Sequence, residues 1–130
     1  MEILIKRLSE KAKMPVYSHE ARPGIEIYAL DKVTLAPGAK VIVSTGVEMA
    51  MPVGYVGLIW SRSSLVTKED IRVTAGMIDS GCREEIMIEV TNTGNTERTI
   101  EAGETVAQIL VQAINHARLI EAEDLSGSDS

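Results

Sequence analysis

Apolar side chains recur at every second position along most of this chain, and that period of two constrains the fold more than any other feature. "EILIKRL", "GIEIYAL", "KVIVST", "VEMAM", "YVGLIW", "DIRVT", "EEIMIEV", "TVAQILVQA" and "ARLIEA" all alternate or run apolar over strand-like lengths. Turn-forming residues separate them: "LAPGAK", "MPVGY", "NTGNT" and "EAGET" place Gly, Pro or Asn every dozen residues or so. Short strands punctuated in this way predict an all-β sandwich, barrel or jelly roll. The one helix candidate is "SSLVTKED", Ser63 to Asp70, which Ser63 or Ser64 would cap and which would last barely two turns.

With 130 residues, the chain is expected to form one domain with its own core. It has no Phe, one Trp and three Tyr, so Val, Ile, Leu and Met must fill that core. The many strand edges of a β domain this small would be protected by burial against identical copies. The net charge of -6 argues against a nucleic-acid groove, which needs clustered Lys and Arg. It leaves room for a small anionic ligand held by a few local donors. Cys82 is the sole cysteine, which excludes an intrachain disulfide and points to a reducing compartment. No apolar run reaches the roughly 20 residues of a membrane span, and "MEILIKRLSEK" lacks a signal-peptide core. A cytoplasmic protein is expected. The acidic, small-residue end "EDLSGSDS" predicts a flexible tail over 123–130 behind a β domain over 1–122.

Three segments carry candidate chemistry. "PVGYVGLIWSRSSL" sets Arg62, Ser63 and Ser64 after a strand and at a helix start, where a guanidinium fork, two hydroxyls and helical N–H groups would suit phosphate oxygens. A capped surface helix with a solvated Arg is the simpler account of that segment alone. "VTAGMIDSGCREE" holds Asp79 in a glycine-flanked turn after Met77 and Ile78. Gly76 allows close approach of backbone, and Asp79 is placed either to activate a water as general base or to cap a hairpin. In "EAGETVAQILV", Gln108 interrupts an apolar strand and needs hydrogen-bond partners in the core or in a ligand. His19 and His116 have no second His or Cys at ligand spacing, which argues against zinc.

In order and spacing these segments resemble the homotrimeric dUTPases (deoxyuridine triphosphate diphosphatases) over almost the whole chain. "IKRLSEKAKMPVYSHE" looks like the opening of that family, and "PGIEIYAL" like its first motif. "PVGYVGLIWSRSSL" looks like the second, "AGMIDSGCREEI" like the third and "GETVAQILV" like the fourth. The resemblance implies a distorted jelly-roll or β-clip subunit, a homotrimer with sites between subunits, and Mg²⁺-assisted hydrolysis of dUTP to dUMP and pyrophosphate by water attack on the α-phosphate. It implies that Asp79 activates the water, that Arg62, Ser63, Ser64 and Gln108 contact phosphates, and that backbone at Gly76 and Ile78 reads uracil. Glu26, at the first motif's carboxylate, would support the metal through its waters.

Four departures stand out. Cys82 replaces the Tyr that packs on the deoxyribose, which implies weaker exclusion of a 2′-hydroxyl. Glu84 replaces a Gly after Arg83, and Glu26 is one methylene longer than the usual Asp. "EDLSGSDS" resembles the lead-in to a fifth, Arg- and Gly-rich arm that is missing, which implies weakened closure over the nucleotide. A catalytically silent nucleotide-binding or regulatory homologue is therefore the second reading. The third is a relative of the dCTP deaminases, whose "RSSL", "VTAG" and "E-x-x-N-x-G" patterns also find counterparts here, with Glu89 at the catalytic carboxylate.

Overall fold

A computed structural model describes residues 1–17, 23–61 and 70–126. Among these residues the chain is all-β, with twelve strands and no helix. They are β1 (Leu4–Arg7), β2 (Val16–Tyr17), β3 (Ile25–Tyr28), β4 (Val33–Leu35), β5 (Lys40–Ser44) and β6 (Val47–Ala50). Then follow β7 (Tyr55–Trp60), β8 (Ile71–Val73), β9 (Gly76–Ile78), β10 (Met87–Asn92), β11 (Arg98–Ile100) and β12 (Thr105–Ala113). The principal sheet has the order β2-β3-β12-β7-β9, and a second sheet the order β5-β10-β8. Two strand pairs, β1-β6 and β11-β4, complete the jelly-roll-like arrangement. Every pairing is antiparallel.

The alternation read from sequence sorts side chains as expected. Along β10, Ile88, Val90 and Asn92 are buried while Met87 is exposed. Ile27, Leu35, Val43, Val47, Met49, Ile88, Val90 and Ile109 form the heart of a single core without any Phe. Each such aliphatic side chain contributes about 1.5–3 kcal/mol on burial. Among the described residues, Thr45 and Asn92 are the polar residues buried with them, and Asn92 is fully bonded. Its amide donates to the carbonyls of Leu35 (3.0 Å) and Thr96 (2.9 Å), and its Oδ1 accepts from Gly94 N (3.0 Å), so it ties the end of β4 to the β10–β11 connection. The turns at Gly38, Gly54 and Gly103 have φ of 79°, 88° and 81°, the left-handed region where glycine is favoured.

Two expectations need correction or restriction. "ARLIEA" alternates yet forms no strand: residues 114–126 have no strand partner, and Leu119 and Ile120 are 92% and 71% exposed. Alternation creates a face, but a strand also needs an edge to pair with. The helix expected from Ser63 to Asp70 lies outside the described residues except for Asp70, which sits in a turn. The short strands β2, β4, β9 and β11 have only two or three residues each, too few for periodicity to signal them.

Candidate active site

The geometry of the site begins with an irregularity in β12. Thr105 lies opposite Tyr28, but the next aligned pair is Ala107 with Ile27, so Val106 is an extra residue. Such a bulge reverses the inside–outside parity of everything after it. Val106 and Ala107 both become buried, and Gln108 turns outward opposite Glu26 on one side and Trp60 on the other. Glu26, Gln108 and Trp60 therefore form one row across the outer face of the principal sheet. Thr105 Oγ1 donates to Glu26 Oε1 at 3.4 Å. Gln108 Nε2 donates to the carbonyl of Ser61 at 3.0 Å, immediately before Arg62.

Arg62, Ser63 and Ser64 themselves lie outside the described residues, but both flanks of that segment are held. Ser61 is tied to Gln108, as above. Asp70, on the far flank, accepts from Arg98 Nε at 3.0 Å through its carboxylate, and from Thr93 N (2.7 Å) and Oγ1 (2.8 Å) through its carbonyl. Its carboxylate lies directly over Gly94, where a Cβ would collide with it.

The second cluster follows β9. Among the described residues this strand lies at the sheet edge with β7 as its one partner, Gly76 opposite Ile59 and Ile78 opposite Gly57. One row of its backbone N–H and C=O groups therefore faces away from the sheet. A Cβ at Gly76 would meet Ile59 Cδ1 at 3.4 Å, an ordinary contact, so packing within this chain does not demand glycine there. Asp79 closes a tight turn through its backbone carbonyl, which accepts from Cys82 N at 3.0 Å. The Arg83 guanidinium folds back to donate to the carbonyls of Ser80 (2.8 Å) and Cys82 (2.7 Å). The Asp79 side chain is exposed and has no hydrogen bond or ion pair among the described residues. The turn-closing alternative is therefore realised through the Asp79 backbone carbonyl, while its carboxylate takes no part in it among the described residues. Cys82 is half-buried and packs against the core rather than projecting over the turn, and Glu84 is exposed.

Among the described residues, Gln108 and the Asp79 turn stand apart on the sheet. Ile78 aligns through Gly57 with Val111, three residues along β12 from Gln108. At ~3.3 Å per residue that is ~10 Å along the strand alone, with two interstrand spacings of ~4.8 Å across it, and Asp79 lies one residue further on. A nucleotide contacting both clusters would have to span that separation.

The family profile for dUTPase matches residues 10–130. The chain belongs to the dUTPase family. A deoxyuridine 5'-triphosphate nucleotidohydrolase of Corynebacterium diphtheriae is 36% identical over 130 residues, spanning 98% of this chain and 86% of that protein. Its counterpart in Hydrogenobaculum sp. is 34% identical over 131 residues, spanning 98% and 91%. Among solved structures, the dUTPase of staphylococcal phage 80α superposes with a TM-score of 0.87 at 26% identity, covering 97% of this chain and 92% of the other. The dUTPase of phage phi11 of S. aureus, described as coordinating a structural Mg(II) ion, gives 0.88 at 25% identity, covering 98% and 100%.

Within this dUTPase fold, sequence reasoning missed the anchor of the Asp79 turn. Glu85 Oε2 accepts from Ser44 Oγ and from Gly46 N (2.8 Å), tying the loop to the β5–β6 connection. Thr45 Oγ1, itself buried, donates to the Ile86 carbonyl at 2.6 Å beside it. Only the Glu-Glu doublet at 84–85 hinted at this, and one of its members faces water. Hydrogen bonds to a charged group contribute about 1.5–3 kcal/mol. Glu85→Ala is therefore expected to lower unfolding stability by about 1–3 kcal/mol and to speed amide exchange at Gly46. Urea denaturation and hydrogen exchange read the two effects, and unchanged exchange at Gly46 would remove the tether.

Proposed function

We propose that this chain hydrolyses dUTP to dUMP and pyrophosphate, with Asp79 as the base. The observation that carries the reading is an exposed carboxylate with no partner among the described residues, on a turn closed by its own backbone carbonyl and braced by the Arg83 side chain, in a member of the dUTPase family. A carboxylate in that state is available to take a proton from water. The water oxygen bonds to the α-phosphorus, the bond from that phosphorus to the bridging oxygen breaks, and pyrophosphate leaves. Arg62, Ser63, Ser64 and Gln108 hold phosphate oxygens, since Gln108 is already anchored to the carbonyl preceding Arg62. The free backbone edge at Gly76 and Ile78 offers uracil the donors and acceptors it needs. The family resemblance sets position 82 beside the sugar, and here the Cys82 side chain packs toward the core.

Magnesium fits this donor set. Among the described residues no three His, Cys, Asp or Glu side chains cluster as a metal cage. Mg²⁺ commonly keeps several waters and binds one or two carboxylates together with substrate phosphates, which suits Glu26 acting through water. When bound, it supplies charge neutralisation at the triphosphate.

The proposed assembly is a homotrimer. The outer face of the principal sheet is apolar around the Glu26–Gln108 row. Val16, Trp60 and Met77 are 48%, 50% and 64% exposed there, beside half-buried Leu58 and Leu110. Packing that face on a second copy buries it and brings Asp79 of one subunit toward the Gln108 cluster of another. We place the catalytic domain at residues 1–122 with a tail over 123–130. A cytoplasmic location rests on the lone Cys82. Among the described residues, no helix is long and apolar enough to cross a membrane.

The deaminase reading loses ground because Glu89 lies on β10 in the other sheet, 3.8 Å from Lys40. A regulatory reading draws on the phage 80α dUTPase, described as controlling transfer of virulence genes. One assay separates all three: incubation with Mg²⁺ and dUTP, dCTP or UTP, measuring pyrophosphate and ammonia. Pyrophosphate from dUTP is expected. Ammonia would indicate deamination, and binding without either product a regulatory protein. Asp79→Asn should cut pyrophosphate release by about 10²–10⁴-fold while leaving the circular dichroism spectrum unchanged; retention of the parent rate would dismiss Asp79 as base. Light scattering should give three times the 14.1 kDa chain mass, and a stable monomer would leave the two clusters unjoined. UTP should compete measurably with dUTP, because no ring stands at position 82; complete rejection of UTP would mean another group excludes the 2′-hydroxyl.

A further inference from the structure

Gly24 sits just before β3 and is buried although its free position points to the outer face, because the Gln108 side chain lies across it. A Cβ added there would overlap Gln108 Oε1 and would lie 2.9 Å from Cδ and 3.2 Å from Cβ of the same side chain. These three are its nearest neighbours, so Gln108 is what glycine makes room for. The backbone itself does not require glycine, since its φ is outside the left-handed region. From this we infer that Gly24 is a positioning residue: by carrying no side chain it seats the Gln108 amide against the Ser61 carbonyl and so aims it at the phosphate site.

The inference rests on the proposed role of Gln108 in binding the triphosphate. Its physical consequence is asymmetric. The two atoms in hard overlap, Oε1 and Cδ, belong to the flexible end of the side chain, while Gln108 Cβ at 3.2 Å must give by only a few tenths of an ångström, so the fold adjusts at modest cost. The Gln108 amide, in contrast, must leave the 3.0 Å contact with Ser61. Gly24→Ala should therefore damage substrate handling without damaging the structure.

The test is a double-mutant cycle of Gly24→Ala and Gln108→Ala, each variant assayed for dUTP turnover and thermal unfolding. Losing one hydrogen bond to a charged group predicts a fall of about 10- to 100-fold in kcat/KM for either single variant. The double variant should fall no further than Gln108→Ala alone, because the obstructed side chain is already gone. Melting temperatures should stay within about 3 °C of the parent. Multiplicative losses in the double variant, or a Gly24→Ala variant with parental kinetics, would overturn the inference. A second readout is independent of turnover. The side-chain amide resonances of Gln108, assigned by their loss in Gln108→Ala, should move in Gly24→Ala toward those of a freely solvated glutamine. Unmoved resonances would refute the positioning role even if dUTP were not a substrate, whereas moved resonances with no dUTP turnover in the parent would refute the function and leave Gly24's role intact.

Discussion

The register of β12 against β3 is the constraint on which the rest depends. Without the extra residue at Val106, Gln108 would fall opposite Ile25 and point into the core, and Ile109 would turn outward. That arrangement would bury an amide with no partner and expose a side chain now fully buried. The apolar term alone is worth about 1.5–3 kcal/mol, and an unsatisfied buried polar group adds about 1–3 kcal/mol. Core packing therefore selects the bulge, and the bulge in turn sets Glu26, Gln108 and Trp60 in one outward row. The polar part of the site is a by-product of where aliphatic side chains must go.

The Asp79 loop is held by a different device. Glu85 and Thr45 tie the loop to the β5–β6 connection and Arg83 braces its carbonyls, while the Asp79 carboxylate has no partner among the described residues. Rigidity at the base and an unsatisfied group at the tip is how a general base is kept in position without being neutralised by its own support. The charges elsewhere matter less. Lys11–Asp31 is an exposed pair, 70% and 60% accessible, of a class that contributes about 0–1 kcal/mol. The half-buried Asp70–Arg98 pair is better placed, because Thr93 and Gly94 fix the aspartate from the other side.

The fold was largely legible in the sequence because period two is a local property, and each long strand declares its own buried face. Gln108 was legible for the same reason, as a polar residue interrupting an apolar run. Asp79 stood out from the glycines around it. What stayed hidden was every feature made by pairing across distance. Glu85 meets Gly46 from 39 residues away, and Gly24 reads as a strand-entry glycine until Gln108 is found lying over it. "ARLIEA" misled in the opposite sense, since its alternation is genuine but it pairs with no edge among the described residues. The role proposed for Arg62, Ser63 and Ser64 rests on the family resemblance together with the anion-binding chemistry of their side chains.

Strand geometry also bears on why such a protein would work as an assembly. A triphosphate needs donors along its length and a base at the α-phosphate, but here the anchored glutamine and the free carboxylate are at different heights on one sheet. Bending the chain to unite them would break the β7–β9 or β7–β12 pairing that positions both. Stacking a second copy on the apolar outer face costs no such distortion, and removes exposed Val16, Trp60 and Met77 from water. The burial that would drive association and the juxtaposition that chemistry requires are then one event, so assembly and activity should rise and fall together.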